Sequence, residues 1–152
     1  MKKQFLAFAL LAFSMFLVTS SCSKNGGSVT VKSNTELLTQ GTWKFQSASA
    51  SGTDVTSQIS ACQRDNILTF SANGNGNVNE GPTKCNAGDP DNTPFTWSWL
   101  SNETQLRVST ILFTGGSSDF TLNKLTESEL TISQYITRPA GPSILISITF
   151  TH

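Results

Sequence analysis

The sequence of 152 residues has few charged side chains and a single histidine, and both shortages exclude classes of function. Basic and acidic residues number 10 each, and charged residues make up 13% of the chain. Removing residues 1–21 would leave eight basic groups against ten acidic ones, so no positive surface is available for nucleic acid. The one imidazole, His152, is the last residue and is expected to fray, which excludes sites built on several histidines. We expect no enzyme, no metal site and no cofactor.

The sequence also lacks an apolar run long enough to cross a membrane. The longest run covers residues 5–18, whereas a spanning helix needs ~20 residues. It follows Lys2 and Lys3 and ends in a few small residues, which is the order of a secretory signal peptide. Residues 1–21 are therefore predicted to be a signal peptide.

The small residues Val18-Thr19-Ser20-Ser21 lead directly to Cys22 and resemble the lipobox of bacterial lipoproteins, in its looser Bacteroidetes form. The resemblance implies cleavage before Cys22 and its acylation with fatty chains such as palmitate. Residues 22–33 then form the acylated cysteine and a flexible tether, because the segment has a glycine pair and no apolar periodicity. An ordinary secretory leader is the alternative.

This anchor predicts a position in the bacterial cell envelope. Two or more acyl chains attach a protein stably to a membrane, so we expect a lipid-anchored protein of the outer membrane that faces the periplasm. No acidic residue follows Cys22 directly, and display on the cell surface stays open.

Two further cysteines, Cys62 and Cys85, form an even pair in a chain bound for an oxidising compartment. A disulfide between them would close a loop of about 24 residues and contribute ~3 kcal/mol. A metal or redox site is not expected, because the spacing of the two cysteines is far from C-x-x-C and further ligands are lacking. Free thiols are the alternative.

The pattern of the remaining residues, 34–152, predicts strands. Gly, Asn and Pro interrupt it every eight to twelve residues, a spacing typical of all-β sandwiches and barrels. A turn is predicted at residues 73–77, where Asn and Gly alternate. Eight strands with one apolar face each are predicted around residues 42–50, 67–71, 77–80, 95–99, 105–110, 120–122, 130–136 and 144–150.

Eight consecutive antiparallel strands can close into an up-and-down barrel, which removes exposed sheet edges. A sandwich of the same strands is the alternative. One helical signal precedes the first strand, because Ser33-Asn34-Thr35-Glu36 matches a capping box. We predict a short N-terminal helical turn that ends at Gln40-Gly41.

A helical turn, then Gly41-Thr42-Trp43, then about eight strands resemble the lipocalins, whose Gly-x-Trp motif places the tryptophan at the closed end of the barrel. The chain is more closely similar to the lipocalin-like domains of Bacteroidetes lipoproteins, over residues 35–150. This resemblance also implies a Cys62–Cys85 disulfide. The arginine that packs on the motif tryptophan in lipocalins has two candidates here, Arg107 and Arg138. The lipocalin C-terminal helix is expected to be missing, because His152 directly follows the last strand.

Ligand contacts are predicted for Phe95, Trp97 and Trp99, which alternate with polar residues and share one face of a strand, and for Tyr135. Ligand sites are concave and mostly apolar, and these rings would suit an apolar or aromatic pocket. The alternative is that they fill the barrel as core. The loop of residues 81–94 has almost no apolar side chain and is expected at the rim of the barrel mouth.

The sequence thus predicts a lipid-anchored barrel that binds a small apolar or amphipathic ligand without catalysis. The alternative is a cell-envelope module with a filled barrel, whose loops bind a protein or a glycan.

Overall fold

The computed structural model describes residues 31–112 and 115–152. The predicted signal peptide, Cys22 and the tether up to residue 30 lie outside the described residues.

Within these residues the chain forms two short α-helices, one 3₁₀ turn and nine strands. The helical elements are α1 (Asn34–Thr39), the 3₁₀ turn (Thr56–Gln58) and α2 (Ala61–Arg64). The strands are β1 (Thr42–Ala50), β2 (Thr53–Asp54), β3 (Ile67–Phe70), β4 (Asn75–Asn79), β5 (Asn92–Leu100), β6 (Gln105–Val108), β7 (Asp119–Leu125), β8 (Glu129–Ile136) and β9 (Ile144–Thr151).

The strands close into an antiparallel barrel. Each strand from β3 to β8 pairs with the next along the chain, and β1 pairs with both β3 and β9. The predicted up-and-down barrel of eight strands is confirmed. One additional strand, β2, was not predicted. It is a two-residue arm that folds back on the end of β1, after positive-φ residues Ser51 and Gly52.

The antiparallel order sends the connections alternately to the two ends of the barrel. Three tight turns and α1 lie at one end, called here the closed end. The other end, called the mouth, carries the longer connections, whose described residues are 51–66, 80–91, 109–112 with 115–118, and 137–143. The loop of residues 81–94, expected at the rim, lies at the mouth.

The core follows from the alternation along the strands. On β8, Leu130 and Ile132 point inward and are almost completely buried. On β1 the register shifts between Phe45 and Ser47, and this bulge lets Trp43 and Ala48 both face the interior although they are an odd number of positions apart.

The capping box predicted for α1 is confirmed. The Glu36 amide donates to the Ser33 hydroxyl oxygen over 3.2 Å, and the Ser33 amide donates to the Glu36 carboxylate over 2.7 Å. The hydrogen bonds that the amide and the hydroxyl of Ser33 donate to the Glu36 carboxylate lower the pKa of Glu36. Helix α1 places Leu38 in the core, and Gln40 ends the helix as predicted.

Trp43 is completely buried at the closed end, and its indole nitrogen donates to the carbonyl of Leu38 over 2.8 Å. His152 stacks on it, with ring centroids 4.0 Å apart. The expectation that His152 frays is therefore wrong.

Neither arginine that was a candidate for packing on Trp43 does so. Arg107 pairs with Asp119, and the Arg138 Nε donates to the carbonyl of Pro142. The side chain that packs on Trp43 in this chain is His152.

Candidate functional site

An apolar cavity of about 80 Å³ lies inside the barrel towards the mouth. Strands β1, β3, β4 and β9 form its wall, and residues from the mouth loops cover it. The lining residues are Phe45, Leu68, Val78 and Phe150 from the strands and Ile59, Gln63, Asn66 and Leu112 from the loops.

The cover over this cavity is fastened by the disulfide. Cys62 lies in α2 and Cys85 in the β4–β5 loop, and the structure joins them as predicted. The link ties the segment that carries Gln63 and Asn66 to the neighbouring mouth loop. It also restricts the unfolded chain, an effect worth ~3 kcal/mol for a loop of this size.

Hydrogen bonds fasten the same two segments beside the disulfide. The side-chain nitrogen of Asn66, in the orientation that satisfies its neighbours, donates to the carbonyls of Cys62 and Glu80, each over 3.0 Å. The Asp65 carboxylate accepts from the amide of Thr83 over 3.0 Å. Residues 60–66 are therefore fixed above the cavity.

A second, more polar cavity of about 280 Å³ adjoins the first and shares Gln63, Asn66, Val78 and Leu112 with it. The carboxylates of Glu80 and Asp89 line this outer cavity. An apolar chamber behind a polar one fits a ligand with an apolar part and a polar part, since pockets combine apolar walls with a few polar groups.

An ion pair orders the β4–β5 loop at the mouth. Lys84 Nζ lies 2.6 Å from Asp91 Oδ1 and 2.9 Å from the carbonyl of Asp89. The hydrogen bond and charge of Lys84 lower the pKa of Asp91. Because the Asp91 side chain is exposed, we assign the pair a role in loop order and little stability.

Phe95 and Trp97, which were predicted to contact ligand, lie in the filled part of the barrel. The Phe70 ring meets both edge-on, with centroids 5.4 and 5.9 Å away. The indole nitrogen of Trp97 donates to the carbonyls of Ser71 and Asn75, both over 3.1 Å. These contacts are those of core residues.

Trp99 and Tyr135 lie in two other places. Trp99 is partly buried near the closed end, where its indole nitrogen donates to the Thr35 hydroxyl over 3.0 Å. The Tyr135 side chain is 67% exposed and lies beside Leu145 on the outer face of the barrel. The four predicted ligand residues therefore do not share a cavity, and none of them lines the two cavities at the mouth.

The residues that do line the apolar cavity were missed for two different reasons. Phe45 and Phe150 continue the inward alternation of their strands, so the period-2 pattern could have found them. Ile59 and Leu112 lie in irregular segments, where no periodicity marks a residue as inward.

Gln134 was not predicted to have a role, and it is an unusual polar residue inside the barrel. It follows Leu130 and Ile132 on the inner face of β8 and is only 6% exposed. Its side-chain oxygen accepts from the amide of Ser117 over 2.7 Å and from the hydroxyl of Ser117 over 3.2 Å. Its side-chain nitrogen has no acceptor among the described residues. A buried donor without a partner costs about 1–3 kcal/mol.

Residues 31–112 and 115–152 contain no group of three or more His, Cys, Asp or Glu side chains that could hold a metal ion. No helix in this part of the chain has the length and apolar character needed to cross a membrane.

The comparison with known families finds a match over most of the barrel. The family described as a lipocalin-like domain matches residues 39–132, more than half of the chain, from the end of α1 into β8. No curated protein matches the chain.

Proposed function

The chain belongs to the lipocalin-like domain family, and from that premise we propose that it is a membrane-anchored protein that binds a small apolar or amphipathic ligand at the mouth of its barrel. The apolar cavity behind Ile59 and Leu112 is the observation that carries this proposal. No reaction is part of it.

The size of the cavity limits the part of the ligand that enters it. Pockets for whole drug-sized molecules have volumes of about 300–1,000 Å³, and the apolar cavity holds about 80 Å³. We therefore expect a short alkyl end or a small ring to enter between Phe45 and Phe150, while the rest of the ligand lies nearer the mouth.

The test introduces a larger side chain in the loops that cover the cavity. Ile59→Trp adds a large side chain at a partly buried loop position, and Leu145→Trp adds the same side chain on the outer face as the matched control. 1-Octanol, the probe, should shift the backbone amide NMR signals of Phe45, Leu68 and Phe150. We expect Ile59→Trp to weaken this binding about tenfold or more, a loss of about 1.4 kcal/mol, and Leu145→Trp to leave it unchanged. Equal binding by all three proteins would contradict the proposal.

The anchoring part of the proposal depends on Cys22 and the leader before it. Residues 31–33 enter at the closed end, where Lys32 Nζ lies 2.8 Å from Glu127 Oε1 in the β7–β8 turn. A lipid anchor at Cys22 would therefore join the barrel at the end opposite the mouth. We propose that the anchored protein belongs to the outer membrane and faces the periplasm.

The anchor is tested by Cys22→Ser in the full chain. The wild-type protein should incorporate labelled palmitate and sediment with membranes, and the variant should do neither, because it has no thiol to acylate. Unlabelled wild-type protein, or a variant that still sediments with membranes, would contradict anchoring at Cys22.

A second candidate function is an interaction module whose loops bind a protein or a glycan. The dense packing of Phe70, Phe95, Trp97 and Trp99 below the cavity favours it, since a largely filled barrel leaves little room for ligand. Absence of octanol-induced shifts at the cavity would favour this second function.

A further inference from the structure

We propose that the side-chain nitrogen of Gln134 is the hydrogen-bond donor that the barrel interior offers to its ligand, and that the group it recognises is a neutral carbonyl oxygen. This inference rests on the proposed ligand-binding function and names the chemistry of the ligand.

The orientation of the Gln134 side chain is fixed by Ser117. Both hydrogen bonds from Ser117 go to the side-chain oxygen. An amide whose oxygen is held in this way turns its nitrogen to the opposite side. That nitrogen is buried and has no acceptor among the described residues, so its two N–H groups are donors without a partner. Gln134 itself lines neither of the two cavities at the mouth.

The place of Gln134 on the barrel wall suits a ligand that also fills the apolar cavity. Gln134 is opposite Ile146 on β9, and Phe150, which lines the cavity, lies four residues further along that strand. Four residues of strand span about 13 Å. The described residues between β6 and β7 also contribute to both places, since Leu112 lines the cavity and Ser117 holds Gln134.

The surroundings of Gln134 favour a neutral oxygen over a carboxylate. Its inward neighbours are Ile132 on the same strand and Ile146 opposite it on β9, and neither carries a charge. The arginines near this end of the barrel are engaged, Arg107 by Asp119 and Arg138 by the carbonyl of Pro142. A buried carboxylate needs a counter-charge as well as hydrogen bonds, whereas the oxygen of a ketone, ester or amide needs only the donor.

The experiment uses 2-octanone, octanoate and 1-chlorooctane, which have similar chains and differ in the polar group. The side-chain NH₂ signals of Gln134, assigned through their proximity to the Ser117 amide, are followed by NMR in the wild-type protein. We expect 2-octanone to shift these signals together with the amides of Phe45 and Phe150. Octanoate and 1-chlorooctane should bind at least about fivefold more weakly, the loss expected for one unmade hydrogen bond.

A pair of variants provides the second readout. Gln134→Glu keeps an oxygen for Ser117 and removes the N–H donors, and we expect it to weaken 2-octanone binding about tenfold. Gln105→Glu is the matched control, because Gln105 also accepts a serine hydroxyl hydrogen bond but lies on the outer face.

The outcomes separate this inference from the function on which it rests. Shifts at Phe45 and Phe150 without a shift of the Gln134 NH₂ signals would overturn the inference and leave the ligand-binding function standing. Binding of octanoate as tight as that of 2-octanone would overturn the choice of a neutral oxygen. No shift at any residue would overturn the ligand-binding function, and the inference with it.

Discussion

His152 packs at the closed end of the barrel, where its ring stacks on Trp43 and both of its ring nitrogens form hydrogen bonds. Its Nδ1 lies 2.7 Å from the carbonyl of Thr42, so this nitrogen carries the proton, and its Nε2 lies 3.1 Å from the side-chain nitrogen of Gln40, which donates to it. A Cβ atom built on Gly41 would lie 3.0 Å from His152 Nδ1. The glycine of the Gly-x-Trp motif therefore leaves room for the ring that stacks on Trp43.

A double-mutant cycle tests this contact at the residue scale. We expect His152→Ala to lower the free energy of unfolding by about 1–2 kcal/mol, because one ring contact and its hydrogen bonds are lost. Gly41→Ala should destabilise the wild-type protein and have a much smaller effect in the His152→Ala background. Urea denaturation of the four proteins measures both effects. Additive effects would show that the Gly41 and His152 contacts are independent.

Gly76 shows how a single residue decided the role of Phe95. It is opposite Phe95 on the neighbouring strand, and a Cβ at this position would collide with the Phe95 ring. The ring therefore covers the glycine and is held inside the barrel. Strand β4 already begins at Asn75, where Asn75 pairs with Thr96 of β5. The turn predicted at residues 73–77 is therefore too long. Alternation could place Phe95 inward, but the cross-strand partner that makes it core could not be read from the sequence.

At the scale of elements, the strands were predictable and the mouth segments were not. Period-2 alternation and Gly or Asn turns mark each long strand, and these are local signals. Helix α2 has four residues, too few for a periodic pattern, and β2 has two. The cavity depends on how these short segments pack over the barrel, because Ile59 and the α2 residue Gln63 line it. The barrel could therefore be predicted from the sequence, whereas its site could not.

The β6 and β7 strands carry a cross-strand ion pair that makes a testable pH dependence. Arg107 and Asp119 are opposite each other, with Nε–Oδ1 and Nη2–Oδ2 distances of 2.6 and 2.7 Å. The hydrogen bonds and charge of Arg107 lower the pKa of Asp119. A carboxyl whose pKa is lower in the folded state stabilises the fold above its unfolded pKa of about 3.9, and this contribution is lost as the pH falls through the folded value.

We therefore expect Asp119→Asn to lower the urea midpoint slightly at pH 7 and to have no effect well below pH 3. Both groups are on the surface, so the neutral-pH effect should also shrink at high salt. Arg107→Gln serves as the control, since the two substitutions should not add when the pair is the cause. An Asp119→Asn effect of the same size at both pH values would assign the loss to something other than the ion pair.

At the scale of the whole molecule, the barrel separates two tasks at its two ends. The closed end is filled by Trp43, His152 and α1, and the chain enters there through Lys32. The mouth holds the apolar cavity, the disulfide and the unpartnered Gln134 nitrogen. The packing around Trp43 therefore lies at the end away from the proposed ligand site, whereas the disulfide stabilises the mouth itself.

Native mass spectrometry tests most directly whether the barrel carries a ligand. Residues 23–152 would be produced in an oxidising bacterial periplasm, with Ile59→Trp prepared in parallel. We predict a reproducible extra mass on the wild-type protein that organic extraction removes, and a much smaller fraction of loaded protein for Ile59→Trp. A protein that shows only its own mass, and still does so after incubation with lipid and haem panels, would contradict a ligand-binding barrel.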